Sequence, residues 1–100
     1  MDTKETFQVI FPEWYDQRGE WEAQEKGWLD GVEIRLANGS TQPLFFYDPV
    51  RLSQDLEAET KLGRAYIAQP GMIVIPEVTR EAILLAVDQL VDDEVLPFQK

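Results

Sequence analysis

The first hydrophobic alternation lies at residues 7–11, FQVIF, with Phe7, Val9 and Phe11 on one side. A period of two is the pattern of a half-buried strand, and Pro12, which has no amide hydrogen to donate, ends its pairing. The next apolar positions follow no period. Trp14, Tyr15, Trp21 and Trp28 are scattered among six acids between residues 12 and 30. The segment is too aromatic for a disordered linker. It reads as an ordered lid that includes a short irregular strand, with Trp28 and Leu29 turned inward.

Residues 31–47 hold the strongest local signal. VEIRLA and STQPLFFY flank Asn38-Gly39, a pair that tolerates the positive φ a two-residue type I′ hairpin needs. Such a loop sets Ala37 opposite Ser40 and Val32 opposite Phe45. Val32, Ile34, Leu36 and Phe45 then share one face, and Leu44 and Phe46 lie on the other beside Glu33 and Arg35. Apolar residues on both faces of the second strand predict cover on both sides. Pro43 places either the start of that strand at Leu44 or an open sheet edge at its own position.

Two helices follow. Asp48 is a suitable N-cap, Pro49 fits the first helical position, and Gly63 ends the run. Leu52, Leu56 and Leu62 form the stripe expected to pack on the sheet. Lys61 and Arg64 suit the negative end of the helix dipole. The second helix is capped by Thr79, runs through REAILLAVDQLVDDEVL and ends at Pro97. Its stripe is Ile83, Ala86, Val87 and Leu90, widened by Leu84 and Val91. Between the helices, Pro70-Gly71 suits a type II turn, which splays strands and so predicts a loose bend rather than a tight hairpin. MIVI, residues 72–75, is continuously apolar and β-branched, the pattern of a central strand buried on both faces. The fold class expected is α+β: a small mixed or mostly antiparallel sheet of four or five strands with two helices, ordered β, lid, β, β, α, β, α. If MIVI lies centrally, the strands before and after the first helix can pair in parallel through a right-handed crossover.

FFYDPVRLSQDLEAE followed by QPGMIVIPEVTREAILLAV resembles a small bacterial protein family without assigned activity. The similarity covers about two-thirds of the chain, most clearly from Phe45 onward, and it implies neither an activity nor site residues.

One hundred residues make a single domain with room for one core. The charge changes the picture more than the length does. The net charge is −10, and residues 12–30 (−4) and 77–94 (−5) carry nearly all of it. Such a field repels phosphate backbones, so direct nucleic-acid binding is not expected. It suits a basic protein partner, although acidity also serves solubility alone. The chain opens charged and polar, without a signal-peptide pattern, and its longest apolar run is far too short to span a membrane. With no cysteine, these features lead to an expectation of a cytoplasmic protein without membrane attachment.

Histidine is also absent. The commonest general base and the usual nucleophile and zinc arrangements are therefore missing. No phosphate-binding glycine loop occurs. Carboxylates are abundant, so a carboxylate-based or divalent-metal-dependent enzyme is a third and weaker reading. Asp88, Asp92 and Asp93 are its best ligands, against their plainer role as a solvated helix end. Asp88 and Asp92 are a like-charge pair four residues apart, and Asp92, Asp93 and Glu94 oppose the helix dipole. Helix stability does not explain that placement. The leading expectation is a non-catalytic, acidic protein-binding module of the inhibitor, immunity or regulatory-subunit type, with no cofactor. Its partner-binding residues would be Trp14, Trp21, Asp88, Asp92 and Asp93. The alternative is a self-associating domain that forms a homodimer. Each tryptophan has two readings: core, burying about 150–250 Å², or interface anchor within a polar rim.

Overall fold

The computed structural model describes residues 7–93. Among them the order is β1 (Phe7–Ile10), α1 (Gln17–Lys26), β2 (Trp28–Leu36), β3 (Thr41–Tyr47), α2 (Pro49–Lys61), β4 (Met72–Val74) and α3 (Arg80–Asp92). The strands form one mixed sheet in chain order, β1-β2-β3-β4. Its first three strands are antiparallel, and β4 is parallel to β3 after the α2 crossover. The α+β class is as expected, and the parallel pairing forms although β4 lies at the sheet's edge rather than at its centre. α3 ends at Asp92 with Asp93 as its C-cap, short of the expected end at Pro97, and residues 94–97 lie outside the described residues.

The lid is a helix, which raises the count to three among the described residues. Asp16 caps α1 by accepting a hydrogen bond from the Gly19 amide at 2.8 Å, and Gly27 ends it in the left-handed region at φ 74°. Its inward face is made of Gly19 and Ala23 rather than large apolar residues. At Gly19 a Cβ atom would lie 2.6 Å from the Trp14 carbonyl oxygen, so the absence of a side chain lets the preceding loop fold onto the helix.

The hairpin forms with a register one residue away from that expected. Arg35 pairs with Thr41, Ile34 with Gln42 and Val32 with Leu44. The loop is therefore Ala37, Asn38 and Gly39. Gly39 has φ 90°, and the Asn38 side chain accepts from the Ser40 amide at 2.8 Å. A left-handed glycine at the third position is the geometry of a three-residue hairpin with a bulge. A one-residue slip exchanges faces. Leu44 and Phe46 join Val32 and Ile34 in the core, and Phe45 moves to the opposite face. A register shift between Leu29 and Val32 then returns Leu29 to the core face, opposite Phe46.

Pro43 lies within β3, opposite Glu33. The Phe45 amide donates to the Gly71 carbonyl at 3.0 Å, so the odd-numbered residues of β3 direct their backbone groups toward β4. Pro43 faces a point that β4 has not yet reached, which is the open edge its missing N–H requires.

One face of the sheet holds the core: Val32, Ile34, Leu44 and Phe46 with Tyr15, Ala23, Leu29, Ile75 and Val78, closed by Ile83, Val87 and Val91 of α3. Thr79 caps α3 by accepting from the Ala82 amide at 3.1 Å. Ala86 and Leu90 pack against this core as expected, whereas Leu84 is exposed. The opposite face is covered differently. The Asp48 carboxylate caps α2 by accepting from the Arg51 amide at 2.8 Å, yet α2 buries no residue. Leu56 and Leu62, expected in its packing stripe, are exposed. Arg51, Leu52, Asp55 and Glu59 are the half-buried positions, so α2 meets the sheet mainly through polar side chains. β4 differs as well. It is a three-residue edge strand, not a central one, and Val74 is 46% exposed.

Candidate docking groove

The edge position of β4 leaves an open groove between that strand and one flank of α3. The groove has a volume of about 700 Å³. Ile73 and Val74 of β4 with the following Ile75 form one wall, and Ala82, Leu85, Ala86, Gln89 and Leu90 form the other. Two alanines on consecutive turns keep that wall low. Leu85 is 59% exposed and gives the groove an apolar lip. The ionisable residues lining it are all acids: Glu77 and Glu81 where α3 begins, and Asp93 where it ends.

The five residues singled out from the sequence are not one surface. Asp93 lines the groove. Asp88 lies about 140° around the helix from Asp93 at 3.6 residues per turn, on the flank away from the groove. Asp92 is exposed near the end of α3. Both Asp88 and Asp92 engage in interactions. Trp14 is 54% exposed and packs beside Gly19 in a separate depression with Asp16, Arg18, Glu22 and Lys26. Trp21 is 60% exposed on α1. Trp28 is half-buried on the α2 side of the sheet, with the Arg51 guanidinium 5.9 Å from its ring centre. Among the described residues, no group of three or more acids is placed to hold a metal ion.

A second cleft lies beneath α2, lined by Trp28, Phe45, Tyr47, Arg51, Asp55 and Gln69 among others, with a volume of about 570 Å³. Arg51 donates to Asp55 at 3.0 Å. Burial and the neighbouring Asp55, as hydrogen-bond partner and as charge, raise the pKa of the Tyr47 phenol.

The structure also contains a junction that the sequence reading missed. The Arg80 guanidinium lies 4.4 Å from the Phe11 ring centre and 4.9 Å from that of Tyr15. Its side chain donates to the Tyr15 carbonyl at 3.3 Å, and its amide donates to the Glu20 carboxylate at 3.0 Å. The end of β1, the first turn of α1 and the start of α3 are thereby tied together beside the groove's acidic end. The available signal was an arginine directly after the Thr79 cap in an otherwise acidic helix.

Among the described residues no helix is long and apolar enough to cross a membrane. No family model, curated protein or solved structure matches the chain.

Proposed function

We propose that the protein is a non-catalytic protein-binding module that docks an apolar, basic segment of a partner in the groove between β4 and α3. The observation that supports this reading is the groove's composition: an apolar floor along an open sheet edge, with acids at both ends. Apolar contact would provide the binding energy, and the acids would select cationic flanks and reject anionic competitors. Asp93 belongs to this surface. Trp14 and Trp21 form a different exposed region, so their contribution is separately testable. The chain has no cysteine, and we place the interaction in the cytoplasm.

The test is capture of a specific partner from extracts of the source cell, followed by titration of the purified pair. Leu85→Asp puts a fourth acid into the apolar wall at an exposed position, where the fold tolerates it. The expected result is loss of the partner with Leu85→Asp and retention with Trp21→Ala. A partner that binds Leu85→Asp as tightly as the parent protein overturns the groove as the docking site.

A further inference from the structure

We infer that the partner segment enters the groove as an extended strand that adds to the outer edge of β4, with basic residues about six positions apart at its two ends. The inference rests on the docking reading above and specifies its geometry.

The backbone of β4 carries the first part of the argument. The Phe45 amide donates to the Gly71 carbonyl at 3.0 Å, and the Ile75 amide donates to the Tyr47 carbonyl at 2.9 Å. In a parallel pair alternate residues face the neighbour, so Gly71, Ile73 and Ile75 serve β3. Met72 and Val74 then direct their backbone groups outward. The Met72 amide is used locally, donating to the Gln69 carbonyl at 3.2 Å. The Met72 carbonyl and the Val74 amide and carbonyl remain for an incoming strand. Among the described residues no strand pairs with that side. Pro76 supplies no further donor, which confines the new ladder to this short stretch.

The side chains carry the second part. Ile73 and Ile75 point to the α3 face of the sheet, where they pack with the core. The incoming residues on that face would lie over Ala82, Ala86 and Leu90, so they should be apolar. The spacing of the acids sets the length. Glu81 and Asp93 are separated by about 18 Å along the helix at 1.5 Å per residue. An extended chain covers that distance in about five to six residues at about 3.3 Å each. Six positions place both basic residues on the same face as the apolar pair. A second copy of this protein is disfavoured as the occupant. Its own β4 edge would bring a second set of Glu77, Glu81 and Asp93 against the first, between chains of net charge −10.

The probe is the acetylated and amidated peptide Lys-Thr-Val-Thr-Val-Thr-Lys, titrated against the full chain by NMR with amide exchange. Binding should slow exchange of the Val74 amide. Val74→Pro should weaken the peptide by about tenfold or more by removing the outward donor, and Leu85→Asp should weaken it by blocking the wall. Peptides N-methylated at the central threonine or at either valine remove the donors that face β4 in antiparallel and parallel pairing respectively. At least one of them should fail to bind, and this arm does not depend on Val74→Pro folding. If the parent peptide does not bind at millimolar concentration, or if every methylated peptide binds equally well, strand addition is overturned. The docking reading would then still be judged by its own partner-capture experiment. A concentration-dependent dimer in light scattering that Val74→Pro abolishes would identify a second copy as the occupant and also overturn the inference.

Discussion

Tyr15 carries a buried hydroxyl without a hydrogen-bond partner among the described residues, and its ring stacks on Phe11 at 4.9 Å. Burial, assisted by the nearby Glu20 charge, raises its pKa, while Arg80 opposes the shift. A phenol whose folded pKa exceeds its unfolded value of about 10 stabilises the fold fully below that pH. The contribution is lost as pH rises through the folded pKa. Tyr47 is shifted in the same direction. Stability should therefore show no tyrosine-linked change at neutral pH and decline above about pH 10. Tyr15→Phe removes one source of that decline together with an unsatisfied buried group. Urea denaturation at pH 8 should find the variant equal to the parent or up to about 1 kcal/mol more stable, and the alkaline decline should become shallower. Gly27 makes the opposite prediction. It holds a left-handed φ, and a Cβ atom there would lie 2.6 Å from the Asp48 carboxylate that caps α2. Gly27→Ala should cost about 1–3 kcal/mol in thermal or chemical denaturation.

At the scale of elements, the two long helices are held very differently. α3 places Ile83, Val87 and Val91 in the core, whereas α2 buries nothing. Ile83→Ala should therefore cost about 2–5 kcal/mol and Leu56→Ala less than about 1 kcal/mol, as measured by denaturant titration. Hydrogen exchange should find α2 amides opening well below the free energy of global unfolding and α3 amides close to it. The legibility of these elements in the sequence follows from the same packing. The caps of both helices were readable because Asp48, Pro49 and Thr79 act locally. The inward face of α2 was not, because Arg51, Asp55 and Glu59 meet the sheet where a leucine stripe was expected. α1 escaped because its contact face is Gly19 and Ala23, which leave no hydrophobic period, although Asp16 and Gly27 marked both its ends. Asn38-Gly39 located the hairpin, but the pair occupies the second and third positions of a three-residue loop. That single residue reversed the faces assigned to Leu44, Phe45 and Phe46. The apolar run at Met72 to Ile75 has the pattern of a strand buried on both sides, but it combines core contacts through Ile73 and Ile75 with the exposed edge at Val74, and the groove opens along that edge. The sequence does not bring Glu77, Glu81 and Asp93 together, because only the return of α3 beside β4 places the three on one surface.

For the whole molecule, the uneven charge becomes a steering field. Nine of the ten excess negative charges fall in the segments 12–30 and 77–94, and the second of these borders the groove. Association of a basic segment should be accelerated at low ionic strength and slowed as the Debye length shortens to about 8 Å near physiological salt. Stopped-flow mixing of the peptide with the protein at several salt concentrations should show the on-rate falling. The off-rate, set mainly by apolar contact and the short ladder, should change less.

The sheet's spatial order coincides with the order of its strands in the chain. A sheet arranged in this way can grow by lateral accretion, each strand joining a neighbour that has already formed. Of the described strand pairs only the β2–β3 hairpin closes locally, whereas β1 joins β2 across α1 and β4 joins β3 across α2, so the hairpin is the natural first step and the outer strands follow more slowly. Among the described residues the series ends at β4, where Pro76 and the turn into α3 redirect the chain. The groove is the position that a further strand of this series would occupy, and a bound partner would extend it from outside.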